Sequence, residues 1–208
     1  KYLIHQVEKR DIDIKLNTRA TPDMIRAGGF DMVIPAVGAV PAKPPIPGID
    51  KPHVMVATQS MIHPETVGQN VVVIGGGEVG VEAGMNLAKK GRNVTVLEMV
   101  DKLAAESTMI HYYSMFEEAW LALPTFHSHV NATVTGIQDD CVTYKDKEGV
   151  EHSVPCDTVV VSLGMKALTE EALSFYGSAD RFALIGDCQK PATVQQAMRS
   201  AFAVSHSV

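Results

Sequence analysis

Residues 71–80 read VVVIGGGEVG, so an apolar run ends in three glycines. A continuous apolar run of this length predicts a strand that is buried on both faces of a parallel sheet. The residues that follow, 78–91, predict a helix that ends at Gly91, with Lys89 and Lys90 favourably placed at its carboxyl end. The glycines therefore occupy the turn between a buried strand and a helix.

Gly75, Gly77 and Gly80 match the pattern G-x-G-x-x-G in this strand–turn–helix context. The first glycine permits a tight turn, the second lets a pyrophosphate approach the backbone, and the third lets the helix pack closely on the strand. The first N–H groups of such a helix attract phosphate. The pattern predicts a dinucleotide site, to which Glu78 and Val79 also belong.

Glu98 ends the next predicted strand, residues 93–98, about twenty residues beyond the glycines. A carboxylate at this position accepts hydrogen bonds from ribose hydroxyls and repels a 2′-phosphate. Met99 and Val100 follow it, and Lys102 is the one nearby cation. We therefore predict NAD(H) rather than NADP(H), with Met99 among the residues that contact the cofactor.

Composition and charge exclude several function classes. The chain of 208 residues is 46% hydrophobic and 20% charged, as expected of a globular protein, and its net charge of −6 disfavours a nucleic-acid partner. No apolar run approaches the roughly 20 residues of a membrane span. The three cysteines form no C-x-x-C pair, so we expect no metal site, and we expect reduced thiols in a cytoplasmic protein.

The rest of the chain predicts further helices and strands. Residues 40–50 are rich in proline and predict an extended linker. A short helix begins at Thr21-Pro22, and a second begins after Thr193 with an inward-facing stripe. The stripe comprises Ala197, Met198, Ala201 and Phe202. An amphipathic helix is predicted from Met109, Tyr113, Phe116, Trp120 and Leu123. Strands are predicted at 11–17, 30–38, 141–146, 150–155, 157–164 and 181–187.

Two segments repeat one another. Residues 31–38 and 157–164 share D-x-V-(aliphatic)-x-x-(aliphatic)-G and end at Gly38 and Gly164, and each follows a similar upstream strand. Their occurrence in the same order predicts two related nucleotide-binding units. The second unit contains the glycine motif, so we expect that the glycine motif of the first unit lies upstream of Lys1.

Three motifs resemble the two-dinucleotide flavoprotein reductases of the glutathione-reductase-like fold. They are PAVGAVPAKPPIPGID (35–50), LEMVDKLA (97–104) and IGDCQKPATVQQAM (185–198). Within that group they are most similar to old-yellow-enzyme-type NADH:flavin oxidoreductases, such as 2,4-dienoyl-CoA reductase, enoate reductase and trimethylamine dehydrogenase. One departure is Val37, which stands where the family usually has threonine.

The resemblance implies a set of cofactors and their sites. Gly186 and Asp187 correspond to the motif that contacts the FAD ribityl chain, and Thr193 and Val194 to the helix start near the flavin ring. Val37 and Gly38 belong to the same FAD domain. FMN, in an N-terminal barrel, and a [4Fe–4S] cluster are expected only outside these residues. The expected activity is NADH-dependent flavin reduction that feeds reduction of an enoate- or enoyl-type substrate.

We therefore predict an α/β fold: a Rossmann-like parallel-sheet NAD domain with a small antiparallel hairpin layer, inserted in an incomplete FAD domain. The predicted boundaries are 1–65 and 169–208 for the two FAD pieces and 66–168 for the NAD domain. No side chain of this chain is expected to act in catalysis, because hydride transfer between nicotinamide and flavin is the chemistry of the cofactors. The substrate, a homo-oligomeric state and the role of the cysteines stay open.

Other classes fit less well. Short-chain dehydrogenases need Tyr-x-x-x-Lys and nucleophile-elbow hydrolases need G-x-S-x-G, and neither pattern occurs. His127 and His129 alternate on a short strand, but no acidic residue lies at ligand spacing. The main alternative is a non-catalytic NAD-sensing or interaction module. Such a module would keep the glycines and Glu98 but would have no use for Gly186, Asp187 and Thr193.

Overall fold

The computed structural model describes residues 2–112 and 118–206. Its helices are α1 (Tyr2–Glu8), α2 (Pro22–Gly28), α3 (Ala57–Ile62), α4 (Glu78–Lys89), α5 (Met109–His111), α6 (Glu118–Leu121), α7 (Thr169–Leu173) and α8 (Val194–Ser205). Its strands are β1 (Met32–Val33), β2 (Ala39–Pro41), β3 (Val54–Val56), β4 (Asn70–Ile74), β5 (Asn93–Leu97), β6 (Phe126–His129), β7 (Thr133–Ile137), β8 (Cys141–Lys145), β9 (Glu151–Pro155), β10 (Thr158–Val161), β11 (Met165–Ala167) and β12 (Arg181–Phe182). Short 3₁₀ turns occur at Pro64–Thr66 and Gly186–Cys188.

The chain divides into two compact units. The first unit comprises residues 1–39 and 167–208, and the second comprises residues 40–166. Residues 40–65, which the sequence prediction assigns to the first FAD piece, lie in the second compact unit, and the predicted domain boundaries stay predictions. In that unit β3 pairs in parallel with β10, and Ile49 is buried beside the same sheet. The assignment of the two units to FAD and NAD stays a prediction.

A five-stranded parallel sheet forms the centre of the second unit, in the order β3-β10-β4-β5-β6. Val72, Val73, Val94 and Val96 are completely buried, as their β-branched side chains fill both faces of the sheet. Helix α4 covers one face, and the antiparallel sheet β7-β8-β9 covers the other. This architecture confirms the predicted fold class, a parallel Rossmann-like sheet with a small antiparallel layer.

The first unit has little regular structure. Strands β1 and β12 pair in parallel over two residues each. Helix α2 begins as predicted, because the Thr21 hydroxyl accepts a hydrogen bond from the Met24 N–H (3.3 Å) and Pro22 occupies the first turn. The helix is capped by Gly29, whose φ of 63° is the left-handed conformation that glycine adopts at helix ends. Helix α1 buries none of its residues.

Three strand predictions in the first unit are wrong or too long. Residues 11–17 form no strand, and Ile12, Ile14 and Leu16 are exposed. Of the strand predicted at 30–38, only β1 (Met32–Val33) forms, because Pro35 has no N–H to donate to a neighbouring strand. The predicted strand 181–187 keeps only β12. Alternation marks a strand only where a neighbouring strand pairs with it, and among the described residues nothing pairs with 11–17.

The inward stripe predicted for the last helix is also wrong. No residue of α8 is buried, and the side chains of Met198 and Phe202 are 63% and 66% exposed. The amphipathic pattern is present, but of the stripe only Ala197 and Ala201 are half-buried, with Ala197 beside Gly186, and its two larger side chains are exposed.

The amphipathic helix predicted from Met109 to Leu123 is described only at its ends, as α5 and α6; Tyr113 and Phe116 lie outside the described residues. Met109 is exposed, whereas Trp120 and Leu123 pack against the core as predicted. The remaining strands, β4, β5, β8 and β9, and helix α4 lie where the sequence predicts them, to within one or two residues at their ends, and β10 ends three residues before the predicted end at 164. Within the described part of the chain, no helix is long and apolar enough to cross a membrane.

Candidate functional site

The turn between β4 and α4 brings the chain very close to its neighbours. Gly75 has a φ of 97°, a conformation that favours glycine, and its N–H donates to the Leu97 carbonyl (2.9 Å). A Cβ at Gly75 would overlap the backbone carbonyl of Ser162, which follows β10. Glycine is therefore required here both by backbone conformation and by the approach of the neighbouring strand end.

Gly80 and Gly84 let α4 pack closely on the sheet. A Cβ at Gly80 would overlap the carbonyl oxygen of Gly75, and one at Gly84 would lie 2.9 Å from the ring of Phe126. Both glycines lie on the buried side of the helix. Their role is to fix the first turn of α4 directly over the end of β4.

Gly77 has the opposite surroundings. It is exposed, it precedes the first residue of α4, and a Cβ built on it would meet no atom within 4 Å. The N–H of Val81 is the first to bond inside the helix, to the Gly77 carbonyl (3.0 Å). Helix geometry leaves the earlier N–H groups without helical acceptors. Open space and free donors at one point suit an anion such as a pyrophosphate.

Glu98 lies directly beside this turn, half-buried at the end of β5. One carboxylate oxygen accepts the Gly76 N–H (2.6 Å), and the other accepts the Val100 N–H (3.0 Å). A carboxylate can accept about four hydrogen bonds, so ribose hydroxyls can still donate to it. The side chain thus holds the glycine turn in place and presents a negative charge at the same time.

The sequence does not predict the backbone bonds that hold Glu98. Its N–H donates to the His129 carbonyl (2.9 Å), and its own carbonyl accepts the Ala132 N–H (2.8 Å). The Asn131 N–H donates to Val100 (2.8 Å), and Asn131 has a φ of 53°. Asparagine after a strand is a signal for such a left-handed turn. This loop between β6 and β7 fixes the position of Glu98 from the far side.

The sequence names Met99 and Lys102 but does not predict the contacts of residues 99–107, which we call the covering segment. The Ala104 N–H donates to the Gly76 carbonyl (2.7 Å), and the buried Leu103 side chain lies over Gly76. The Ser107 hydroxyl donates to Glu78 Oε1 (2.6 Å). Exposed Met99 lies at the start of the segment, beside Glu98. The covering segment therefore forms a wall of the site, and Lys102 within it lies over the Tyr112 ring, 3.6 Å from its centroid.

Two other predicted residues lie near the start of α4. Val79 is 49% exposed on the first turn of the helix. Gly164 has a φ of 83° and accepts a hydrogen bond from the Ala42 N–H (3.0 Å), shortly after β10. Since Ser162 contacts Gly75, the end of β10 lies at the same carboxyl edge of the sheet as the glycine turn.

The first unit contains a separate cavity of about 340 Å³. It is lined by Gly38, Gly186, Asp187, Thr193 and Val194, all of which the sequence predicts as FAD contacts. Val37 is partly exposed and does not line the cavity. Positive φ angles at Gly38 (79°) and Gly186 (67°) turn the backbone at its edge. One open concavity thus collects residues that are about 150 positions apart in the sequence.

Polar groups at this cavity are held by local hydrogen bonds. Asp187 Oδ1 accepts the Ala192 N–H (3.3 Å), and the Gly186 N–H donates to the Ser200 hydroxyl (3.0 Å). Thr193 and Gln196 form a capping box at the start of α8. Asp187 therefore retains lone pairs for a hydroxyl donor, and the first N–H groups of α8 point away from the helix body.

Two histidines pack against a tyrosine ring, and two of the three cysteines are buried. The rings of His129 and His152 both stack on the ring of Tyr144, with centroid distances of 5.5 and 5.2 Å. Among the described residues no group of three acidic, histidine or cysteine side chains could hold a metal ion. Cys188 is fully buried, and the carbonyls of Pro35 (3.4 Å) and Ile185 (3.2 Å) both lie within hydrogen-bonding distance of its one S–H donor. Burial raises the pKa of the Cys156 thiol to about 11, so Cys156 is an unreactive thiol near neutral pH.

Comparison with known proteins places these features in a family. Residues 3–201 match the family model described as pyridine nucleotide-disulphide oxidoreductase. Among curated proteins, bilirubin reductase of Mediterraneibacter gnavus is 32% identical over 206 residues, which are 97% of this chain and 31% of that protein. NADH oxidase of Thermoanaerobacter brockii is 27% identical and covers 100% of this chain and 32% of that protein.

A solved structure of 2-naphthoyl-CoA reductase superposes with a TM-score of 0.88 at 30% identity, over 97% of this chain and 30% of that chain. The chain therefore spans about a third of the length of the relatives it matches.

Proposed function

The chain belongs to the pyridine nucleotide-disulphide oxidoreductase family, and from that premise we propose that it is the dinucleotide-binding part of an NADH-dependent flavoprotein reductase. In this proposal the second unit binds NADH and the first unit contributes to an FAD site. The observation that carries the proposal is the open space and free N–H donors at Gly77, directly beside the Glu98 carboxylate.

The residues at the glycine turn fit a dinucleotide. The N–H groups of Gly77, Glu78 and Val79 are available for a pyrophosphate, and no Cβ stands in the way at Gly77. Glu98 is placed to accept ribose hydroxyls, while its charge disfavours a 2′-phosphate. Met99 and Gly164 lie at the same edge of the sheet. The expected ligand is therefore NAD(H) rather than NADP(H).

The cavity of the first unit fits part of a flavin dinucleotide. Asp187 offers free lone pairs to a ribityl hydroxyl, and the Val194 N–H at the start of α8 is free to donate, whereas the Thr193 N–H is already bonded to Gln196 in the capping box. Val37 replaces a threonine hydroxyl with methyl groups, so Gly38 beside it contributes backbone only. The 208 residues contain one G-x-G-x-x-G motif, so we propose that the pyrophosphate of FAD is held by a part of the protein outside them.

When bound, NADH and FAD supply the hydride transfer, and this chain binds and orients them. No side chain at the glycine turn is proposed as an acid or base, because hydride transfer between nicotinamide and flavin is the chemistry of the cofactors. Glu98 and Glu78 accept hydrogen bonds from Gly76 and Ser107. The names of relatives support reduction of an unsaturated substrate: bilirubin reductase, cinnamate reductase and 2-naphthoyl-CoA reductase. An N-terminal barrel with FMN and a [4Fe–4S] cluster, outside this chain, would carry out that step.

The test compares NADH and NADPH binding by isothermal titration. We expect NADH to bind at least about tenfold more tightly than NADPH. The repulsion between the half-buried Glu98 carboxylate and the 2′-phosphate of NADPH should raise the binding free energy of NADPH by about 1.4 kcal/mol or more. Glu98→Arg is expected to weaken NADH binding by about 10- to 100-fold, because it removes a charged acceptor for the ribose. Glu98→Gln keeps one acceptor oxygen and is the milder control.

Two results would contradict the proposal. Equal affinity for NADH and NADPH would remove the role of Glu98 as a selector. Failure of both nucleotides to bind, in a protein whose thermal unfolding is cooperative, would remove the dinucleotide site itself.

A further inference from the structure

Glu78 places a negative charge at the helix end that is proposed to bind the pyrophosphate. It is the first residue of α4, and its side chain is exposed. The N–H groups around it have no helical acceptor, and the open space at Gly77 adjoins it. Any anion bound to these N–H groups must therefore lie near the carboxylate of Glu78.

The carboxylate does not move freely, because Ser107 holds it. The Ser107 hydroxyl donates to Glu78 Oε1 at 2.6 Å. Ser107 ends the covering segment, which is itself fixed by the Ala104 N–H on the Gly76 carbonyl (2.7 Å) and by buried Leu103. The charge of Glu78 thus has an anchored partner on the opposite wall of the site.

The charge of Glu78 is not neutralised by a cation. Among the described residues it forms no ion pair. In the free protein its carboxylate complements the partial positive charge at the start of α4. Once the two negative charges of a pyrophosphate occupy the same helix end, the carboxylate opposes them.

We propose that Glu78, held by Ser107, lowers the affinity of the site for the dinucleotide and speeds its release. The proposal rests on the proposed function, because it assigns a role within the same NADH site. In this proposal the two acidic side chains at the turn have different roles: Glu98 accepts hydrogen bonds from the nucleotide, and Glu78 repels its phosphates. A redox protein that must exchange NADH for NAD⁺ at every turnover benefits from such a weakening.

The test is Glu78→Gln, which removes the charge but keeps an oxygen that can accept the Ser107 hydroxyl. We expect the Kd for NADH to fall about three- to tenfold at low salt, as estimated for unit charges about 6 Å apart at a solvent-exposed position with an effective dielectric constant of about 40 to 80. The change is expected mainly in the dissociation rate, measured by stopped-flow fluorescence. Glu148→Gln, on the turn between β8 and β9, alters the net charge equally and should leave the Kd unchanged.

Two further readouts separate a charge effect from a structural one. The gain in affinity should shrink in about 1 M salt, where charges are screened within roughly 3 Å. The same variant should lower the melting temperature by about 1–3 °C, because the helix loses a favourable charge at its start. Ser107→Ala should give a smaller gain in affinity, since it releases the carboxylate without removing it.

Weaker or unchanged NADH binding by Glu78→Gln would overturn the inference, as would a gain that persists undiminished in high salt. These outcomes leave the NADH site itself intact. If the wild-type protein binds no NADH, the proposed function fails and the inference fails with it.

Discussion

Two glycines of one motif, Gly77 and Gly80, have opposite surroundings, and this difference can be tested by adding one methyl group to each. The Cβ of an alanine at 77 would project into open space, whereas at 80 it would overlap the Gly75 carbonyl oxygen. Gly77 has a φ of −65°, which alanine adopts readily.

We expect Gly77→Ala to fold normally but to bind NADH about 10- to 100-fold more weakly, because the methyl group blocks a charge-assisted hydrogen bond to the phosphate. Gly80→Ala should instead lower the free energy of unfolding by about 1–3 kcal/mol, through overpacking. Thermal unfolding and NADH titration of both variants measure the two effects. A stable Gly77→Ala that binds NADH normally would show that the phosphate does not approach there.

Glu98 illustrates what can and cannot be predicted for a single residue. Its place at the end of a strand about twenty residues after the glycines follows from the spacing alone. Its bonds to the N–H groups of Gly76 and Val100 do not, since they depend on how two strand ends meet. The same holds for Ser107 and Glu78, which lie 29 residues apart in sequence.

At the scale of elements, β6, β8 and β9 are joined by a stack of three rings. His129 of β6 and His152 of β9 both stack on Tyr144 of β8, and His152 also contacts Asp146 Oδ2 (2.6 Å). Burial, followed by the nearby His152 and His127, lowers the pKa of His129. The hydrogen bond from His152 lowers the pKa of Asp146.

Both shifts predict that acid destabilises this region. The folded-state pKa of His129 lies below its unfolded value of about 6.5, so the unfolded chain takes up the proton first as the pH falls. For Asp146 the stabilisation is present above its unfolded pKa of about 3.9 and is lost as the pH falls through the folded pKa. We therefore expect the melting temperature to be flat above about pH 7.5 and to fall in two steps below about pH 6.5.

Melting temperatures of two variants, measured over the same pH range, identify the residue that causes the step at higher pH. His129→Phe keeps an aromatic ring on Tyr144 but cannot titrate, so the step that begins below the unfolded pKa of about 6.5 should disappear. His5→Gln, at an exposed histidine of α1, should leave the step in place. An unchanged upper step in His129→Phe would show that another group is responsible.

Elements differ in how far local pattern predicts them. The strands β4, β5 and β10 are apolar runs buried on both faces, and each lies where its sequence predicts it. Residues 11–17 have an equally regular alternation but form no strand. The difference is the presence of a neighbouring strand, since a strand exists only when its N–H and C=O groups are paired.

At the scale of the whole molecule, the buried core lies almost entirely in the second unit. Both apolar clusters, one on each face of the parallel sheet, consist of residues between 46 and 163. The first unit buries few apolar side chains, Ala172 and Phe175 among them. Its exposed apolar residues include Tyr2, Leu3, Ile4, Met198 and Phe202.

This distribution predicts that residues 40–166 fold without the first unit. Expressed alone, they should unfold cooperatively and bind NADH with an affinity within about threefold of that of the 208-residue chain, because the residues proposed to bind it all lie within them. Calorimetry and NADH titration measure both properties. Loss of cooperative unfolding would show that the first unit is needed for the core.

The repeated pattern, the glycine spacing and the apolar runs predict the α/β class, the parallel sheet and the position of the dinucleotide turn, because each depends on residues close together in sequence. The positions of the covering segment, of the loop at Asn131 and of the cavity around Asp187 depend instead on contacts between distant parts of the chain. The exposure of the apolar stripe of α8 also depends on long-range contacts. An amphipathic sequence shows that one face of a helix is apolar, but it does not show which element covers that face. Local pattern thus predicts which residues we propose to bind a dinucleotide, and tertiary packing decides which of their hydrogen-bonding groups are left free.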